Sequence, residues 1–407
     1  MPASPNAADH PRAWSLRDGR WIILGPLLVQ LTLFFQFSPG LNYVQVAHRW
    51  GVLTLRPPFS DLSFIAGAGA TLRAGGNPYV VNAFDPLGRA YNYPPLWLYL
   101  SWHTTVSPGM ILILAVAMGL FGLGAFVWYL GPVDWRRGLL LGALACSPPV
   151  VLAVQRANAD ILMLGLVALA LVWLRQGRRV AAYACLVLAT WLKLYPVFTL
   201  VVLLREPWNR LRRVGPIVVL AGGLCFAVYA GDLGYIFANT PVGGLHSYGA
   251  RVLAFWGNFF LPSYGWNVNP VLLGRVCSLA AVTLALVACR IGYEKKLPLD
   301  SSLDSELDGF RVGAAVYVST FLLSVSFDYR LLFLLLVFPL LFSLSTRRTP
   351  SCGWALAGLI LIFGVMWPNG LFWKPLILVK EASSWALFFT LTVLLVRTLP
   401  RPLFARA

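Results

Sequence analysis

Apolar segments of nearly membrane-spanning length recur from one end of the chain to the other. Examples are residues 111–130, 161–174, 216–230 and 331–344, and a helix needs about 20 apolar residues to cross a bilayer. Only 12% of the 407 residues are charged, whereas an ordinary soluble domain has roughly 25%. This pattern excludes a water-soluble fold. It predicts an all-α transmembrane bundle, a single domain over residues 1–407 with about 11 to 13 helices.

The net charge of +17 is concentrated in short loops at alternate helix ends, for example at 136–137, 178–179, 212–213 and 347–348. This distribution follows the positive-inside rule and predicts that both termini are cytoplasmic, with residues 1–20 as the cytoplasmic N-terminus. No basic stripe alternates with exposed aromatic side chains on a soluble face, so nucleic acid is excluded as a partner.

The same topology predicts two large extracytoplasmic loops, residues 38–106 and 231–269, after a first helix at residues 21–37. Within the first loop, Asp61 opens an amphipathic stretch that we expect to form a helix on the outer membrane surface. A Gly-Gly-Asn-Pro turn at 75–78 and a Tyr-Pro-Pro sequence at 93–95 follow it. The polar chemistry of the chain is therefore expected on its outer side.

Prolines predict interruptions in two apolar segments. Pro148 and Pro149 interrupt the third helix, and residues 180–204 are too few for two full spans, so two short helices should meet near 193–196. The acidic segment 298–308 is expected to be a solvated cytoplasmic linker.

A small set of outer polar residues carries the candidate chemistry. Asp61 is a candidate base, although a first-turn carboxylate also stabilises a helix N-terminus. Lys193 lies in an apolar run, where an ammonium needs an anionic partner or a route to water. Arg156 and Arg330 suit a phosphate; the alternatives are interface anchoring and, for Arg330, an ion pair with Asp328. Six acidic residues fall on the outer side: Asp61, Asp85, Asp160, Asp232, Asp328 and Glu381.

Other outer residues are candidates for sugar contact. Tyr93 suits a sugar ring but equally an interfacial aromatic belt, and His246 and Tyr248 in the second outer loop are further candidates. Asn158 and Asp160 open a helix at an outer turn. The six cysteines show no CxxC pair, so neither a zinc site nor a disulfide framework is predicted. No cofactor is expected; the alternative is a divalent ion held by Asp61 with Asp160 or Asp328.

Six short motifs follow one another in a fixed order along the chain: Asp61, Gly-Asn-Pro-Tyr at 76–79, Phe84, Tyr-Pro-Pro-Leu at 93–96, Asn-Ala-Asp at 158–160 and Lys-Leu-Tyr-Pro at 193–196. Their order resembles glycosyltransferase family 87, membrane enzymes of the GT-C fold found in bacteria. Family members often have Gly-Gln-x-Asn where this chain has Ala-Asn-Ala-Asp, and Lys-Pro-Gln where it has Lys-Leu-Tyr-Pro, which leaves the acceptor open.

The resemblance implies transfer of a sugar on the outer face of the plasma membrane, with Asp61 as the catalytic residue. The expected donor is a polyprenyl-phosphate sugar, mannose or else a pentose, and the expected acceptor is a glycolipid or glycan among membrane lipids. A single displacement would invert the anomeric carbon, with Lys193, Arg330 and Arg156 stabilising the phosphate. The alternatives are a polytopic transporter or lipid flippase, and an enzyme that transfers a preassembled glycan.

Overall fold

The computed structural model describes residues 18–23, 45, 47–53, 55–241, 246–265, 268–294, 303–323, 325–347, 350–368 and 375–399. Helices dominate these ranges, as the apolar periodicity predicts. Most of the predicted first helix, residues 21–37, lies outside the described residues. The helices are α1 Ser60–Arg73, α2 Pro95–Trp102, α3 Pro108–Leu130, α4 Trp135–Ala145, α5 Pro148–Arg156, α6 Ala159–Arg175, α7 Arg179–Leu192, α8 Trp208–Val228, α9 Ala230–Asn239, α10 Val252–Phe260, α11 Pro270–Glu294, α12 Asp304–Leu322, α13 Leu334–Ser345, α14 Cys352–Met366 and α15 Pro375–Arg397.

Several of these helices are long and apolar enough to cross a membrane, so the chain is a multi-pass membrane protein. Within the described ranges, five segments pass by length and composition, or six if the bent pair α4 and α5 is one span. The most hydrophobic is 109–130, and it packs along α6, where Gly122 and Gly165 permit close approach to Ile161 and Phe121.

Helix α1 forms where Asp61 predicts a helix, but it is embedded in the protein rather than exposed along a membrane surface. Most of its residues are buried, and it packs against α2. Small residues explain the difference: a Cβ on Gly67 would lie 2.6 Å from the Phe84 carbonyl oxygen, and one on Gly69 would lie 2.5 Å from that of Ser101. The first loop therefore forms a packed layer that can hold Asp61 rigidly.

Both predicted interruptions are present. Helices α4 and α5 meet at an angle of 59° next to Pro148. Helix α7 ends at Leu192, and a 3-10 helix, Tyr195–Arg205, follows it. The Trp97 indole donates to the Leu192 carbonyl at 2.9 Å, so α2 fixes the position of this break.

The prediction of a solvated acidic linker is wrong for its described end, where residues 304–308 begin α12. Glu306 pairs with Arg137 at 3.1 Å, and buried Asp308 pairs with Arg205 at 2.5 Å. Carboxylates in a first helical turn favourably meet the helix dipole. The two acidic side chains thus join α12 to the basic loops that were predicted to be cytoplasmic.

A two-residue antiparallel pairing joins the segment between α9 and α10, part of the predicted second outer loop, to the turn between α12 and α13. Strands β1, Ser247–Tyr248, and β2, Ser326–Phe327, pair with Tyr248 opposite Ser326. Two further 3-10 helices are present in the described residues, Leu261–Tyr264 and Asp328–Phe333, and the latter continues directly from β2. The pairing therefore sets the position of Arg330 relative to the segment between α9 and α10.

Candidate active site

A cavity of about 650 Å³ lies between the segment that contains α1 and α2, the break after α7 and the 3-10 helix Asp328–Phe333. Its wall combines one carboxylate with several cations, and the remainder is aromatic and aliphatic. The charged residues in the lining are Asp61, Arg89, Arg156, Lys193 and Arg330, and its aromatic residues include Phe64, Tyr93, Tyr195, Phe198, Phe226, Phe237 and Tyr329.

Asp61 lies in the first turn of α1, where the helix dipole favours its charge. Its side chain is buried, yet it contributes to the cavity wall. Arg89 donates to Oδ1 at 2.8 Å and Asn158 donates to Oδ2 at 2.7 Å. Each carboxylate oxygen has two lone pairs, so both oxygens remain able to accept a further proton or hydrogen bond.

Asn158 joins Asp61 to the start of α6. Its side-chain oxygen caps the helix by accepting from the Asp160 amide at 3.0 Å, while its amide group donates to Asp61 and, at 3.3 Å, to the Tyr93 hydroxyl. Burial raises the pKa of the Tyr93 phenol well above its usual value, with Asp61 contributing. Tyr93 is therefore a neutral hydroxyl beside the carboxylate.

Lys193 is anchored by an anion. Its ammonium donates to Asp160 at 2.6 Å and to the Asn158 side-chain oxygen at 3.1 Å, and the Tyr195 hydroxyl donates to the same Asp160 oxygen at 2.6 Å. The ammonium also lies 5.0 Å from the centre of the Tyr93 ring. This arrangement supplies the partner that a lysine in an apolar run requires.

Arg330 and Arg156 contrast with Lys193. Within the described ranges, neither has a carboxylate at ion-pair distance, and the Nε of each is buried with no hydrogen-bond partner. Arg330 donates to the Ser326 hydroxyl at 2.9 Å and stacks over the Tyr195 ring at 4.9 Å. Arg156 makes one 3.4 Å hydrogen bond to the Leu53 carbonyl. Both line the cavity and have donors left to bind an anion.

The alternative of an ion pair between Asp328 and Arg330 is wrong, because Asp328 pairs with Lys380 at 2.5 Å. His246 lies 3.9 Å from the same carboxylate, and Tyr248 donates or accepts a 2.7 Å hydrogen bond with Thr320. Both His246 and Tyr248 are buried and are absent from the cavity lining. Burial, with the charges of Lys380 and Arg156, lowers the pKa of His246 to about 3.

Sequence reasoning overlooked Arg89, which contacts Asp61 directly. An arginine in a loop predicted to be extracytoplasmic departs from the positive-inside rule, and Asp85 four residues earlier offers it a partner. These two features of the sequence could have identified Arg89 as a site residue.

The structure shows no metal site in its described part: no group of three or more His, Cys, Asp or Glu side chains suited to an ion occurs there.

A sequence model of a known family matches residues 91–304, more than half of the chain; it describes glycosyltransferase family 87. The chain belongs to glycosyltransferase family 87. The sequence resemblance is thereby confirmed, and the protein is a membrane glycosyltransferase. No curated protein and no solved structure matches it.

The family 87 match covers one part of the site and leaves out another. Tyr93, Arg156 and Lys193 fall inside the matched range, whereas Asp61 and Arg330 lie outside it. The hydrogen bond from Asn158 to Asp61 connects the two parts. The expectation that Asp61 is catalytic therefore rests on geometry and on its resemblance to the first-loop aspartate of the family.

Proposed function

We propose that this enzyme transfers one sugar, mannose or else a pentose, from a polyprenyl-phosphate donor to an extracytoplasmic glycolipid or glycan, with inversion. The observation that carries the proposal is a single cavity that holds an oriented carboxylate, Asp61, together with Arg330 and Arg156, neither of which has a carboxylate at ion-pair distance among the described residues. Glycosyl transfer from a phosphate needs both a proton acceptor and an anion site.

Asp61 acts as the base. Its carboxylate takes the proton of an acceptor hydroxyl as that oxygen attacks the anomeric carbon, and the bond from that carbon to the phosphate oxygen breaks with its electron pair leaving on the phosphate. One displacement inverts the anomeric configuration. A positioned base contributes typically about 10² to 10⁴ in rate.

Arg330, Arg156 and Lys193 receive the phosphate, with Arg330 and Arg156 as its direct ligands and Lys193 acting from its pair with Asp160. Counting the cavity charges with their direct partners, four cations face three carboxylates, so one positive charge remains. A sugar phosphodiester carries one negative charge and gains a second as the sugar departs, so cations fixed beside it stabilise the transition state. The groups counted are Arg89, Arg156, Lys193 and Arg330, with Asp61, Asp85 and Asp160.

The apolar part of the cavity supports a lipid donor. Phe198, Phe226 and Phe237 belong to the lining, and Phe237 is 65% exposed on the outer surface of the protein. Aromatic side chains that continue from a cavity to a lipid-facing surface suit an isoprenoid chain. We propose no cofactor, since the guanidinium groups provide the positive charge that a divalent ion would otherwise supply. Transfer that persists in EDTA is the expected result.

The membrane placement follows the charge distribution. We place the protein in a bacterial plasma membrane with both termini in the cytoplasm and the cavity on the extracytoplasmic side. Nucleotide sugars are absent there, so a lipid-linked sugar is the activated donor at hand.

The test is transfer of labelled sugar from polyprenyl-phosphate mannose, or a pentose analogue, into lipid extract by membranes containing the wild type, Asp61→Asn or Asp232→Asn. Asp232 is the matched control because it is an outer aspartate absent from the cavity lining. We expect product with the wild type and with Asp232→Asn only.

If correctly inserted Asp61→Asn protein formed product at the wild-type rate, Asp61 would not be the base. Label that crosses proteoliposome membranes without a new glycosidic bond would instead favour a transporter.

A further inference from the structure

The loop between α1 and α2 contains an arginine whose hydrogen bonds converge on Asp61. Arg89 donates from Nη1 to Asp61 at 2.8 Å and from Nη2 to the Ser60 carbonyl at 2.6 Å. Its Nε and Nη2 each lie 3.0 Å from an oxygen of Asp85, which is a bidentate pair. The three guanidinium nitrogens thus donate to Asp61 itself, to the Ser60 carbonyl beside it and to Asp85.

Asp85 binds both the guanidinium group and the backbone of Arg89. The Arg89 backbone amide also donates to Asp85, at 2.8 Å, and the Asp85 side chain is fully buried. The guanidinium lies 4.5 Å from the centre of the Phe64 ring on α1. Because Asp85 and the Phe64 ring already fix the planar guanidinium, it loses little further conformational freedom when it also binds Asp61.

Arg89 stays protonated and positively charged. Burial disfavours the charged form, but the hydrogen bonds and charges of Asp85 and Asp61 outweigh it and raise the pKa of Arg89. Asp61 therefore has a permanent cation on Oδ1 and an amide donor on Oδ2. With both oxygens bonded, rotation of the carboxylate about its last torsion breaks two hydrogen bonds.

We propose that Arg89 is a positioning residue: together with Asp85 it holds the Asp61 carboxylate in the orientation needed to take the acceptor proton. This inference rests on the proposed role of Asp61. Without Arg89, only the Asn158 hydrogen bond orients the base, and Asp61 then samples rotamers that miss the acceptor hydroxyl. Chemistry slows while donor binding, which depends on the phosphate site, stays nearly unchanged.

The test compares Arg89→Gln, Arg89→Lys and Asp85→Asn in purified protein, using whichever polyprenyl-phosphate sugar the wild type transfers. The control is Arg73→Gln, because Arg73, the last residue of α1, donates to the carbonyls of Ser101, Trp102 and Thr104 at the end of α2 and does not bind Asp61. A general loss of loop structure affects the control as much as the Arg89 variants.

We expect Arg89→Gln to lower kcat by about 10- to 100-fold, as loss of one hydrogen bond to a charged group does, with donor KM within about threefold. Arg89→Lys restores part of kcat because an ammonium reaches Asp61 but cannot bind Asp85 bidentately. Asp85→Asn falls between these two, and Arg73→Gln retains wild-type kcat.

A double-mutant cycle separates positioning from a merely structural role. If Arg89 acts through Asp61, Arg89→Gln costs nothing further in an Asp61→Asn background. Additive losses, or a folded Arg89→Gln with wild-type kcat, overturn the proposal. If Asp61→Asn alone is fully active, the proposed base is wrong as well, which distinguishes the two failures.

Discussion

Two regions of the cavity differ in how their charges are satisfied. Around Asp61, every charged group has a partner: Arg89 with Asp61 and Asp85, and Lys193 with Asp160. Around Arg330 and Arg156, no carboxylate partner occurs within the described residues. Paired groups fix the geometry of a base, whereas half-buried cations with free donors are ready for an anion. The first region should govern the proton transfer, and the second the binding of the donor and the charge of its leaving phosphate.

The largest expected effect concerns the base. Asp61→Asn preserves the size of the side chain and its contact with Arg89 while removing the proton acceptor. We expect kcat to fall by about 10² to 10⁴ with donor KM nearly unchanged. Steady-state kinetics in detergent check this, and a raised KM with unchanged kcat would assign Asp61 to binding instead.

The next effect concerns the stability of the paired region. Lys193→Met leaves Asp160 buried without its cation, which should destabilise the protein by about 3–5 kcal/mol. The control is Arg290→Met, because Arg290 and Glu294 form an exposed pair at 3.3 Å, and such pairs contribute about 0–1 kcal/mol. Thermal unfolding measures both; equal shifts would mean that the buried pair contributes no more than a surface pair.

A smaller effect is expected at the anion region. Arg330→Gln should raise donor KM by about 10- to 100-fold, the value of a hydrogen bond to a charged group, and lower kcat as well, because the charge on the phosphate grows in the transition state. The melting temperature should change little, since no carboxylate among the described residues loses an ion-pair partner. Arg156→Gln is the parallel variant. A fall in kcat at constant KM would contradict the division into two regions.

The smallest expected effect is a pH dependence of the protein's stability that arises from His246. His246 has a folded pKa of about 3, below the unfolded value of about 6.5. The unfolded chain therefore binds the proton first, and stability is lost as pH falls below about 6.5, by roughly 2 kcal/mol at pH 5. His246→Asn should reduce this acid sensitivity, whereas His103→Asn, at an exposed site, should not. The measurement is the melting temperature of each variant at pH 7.5 and at pH 5. If both variants lose as much stability between these pH values as each other, His246 is not buried in its neutral form.

Much of the fold could be predicted from local patterns. The break near 193–196 and the bend at Pro148 follow from segment length and from proline. The embedding of α1 could not be predicted, because it depends on close contacts of Gly67 and Gly69 with distant backbone. A hydrophobic pattern is the same whether the apolar face meets lipid or protein.

The candidate site was predictable in its residue types but not in their pairing. Asp61, Asn158, Asp160 and Lys193 were each identified singly, and the structure joins them in one hydrogen-bonded chain. The partner of Asp328 was not evident, because Lys380 lies 52 residues away and charges in sequence order do not reveal distance.

The most direct test of the two-region account is equilibrium binding of the donor to Asp61→Asn and Arg330→Gln, measured beside turnover of the same preparations. The account predicts that Asp61→Asn binds donor as the wild type does but turns over at least about 100-fold more slowly, and that Arg330→Gln binds at least about 10-fold more weakly. If Asp61→Asn loses donor affinity while Arg330→Gln keeps it, the two regions do not divide chemistry from binding.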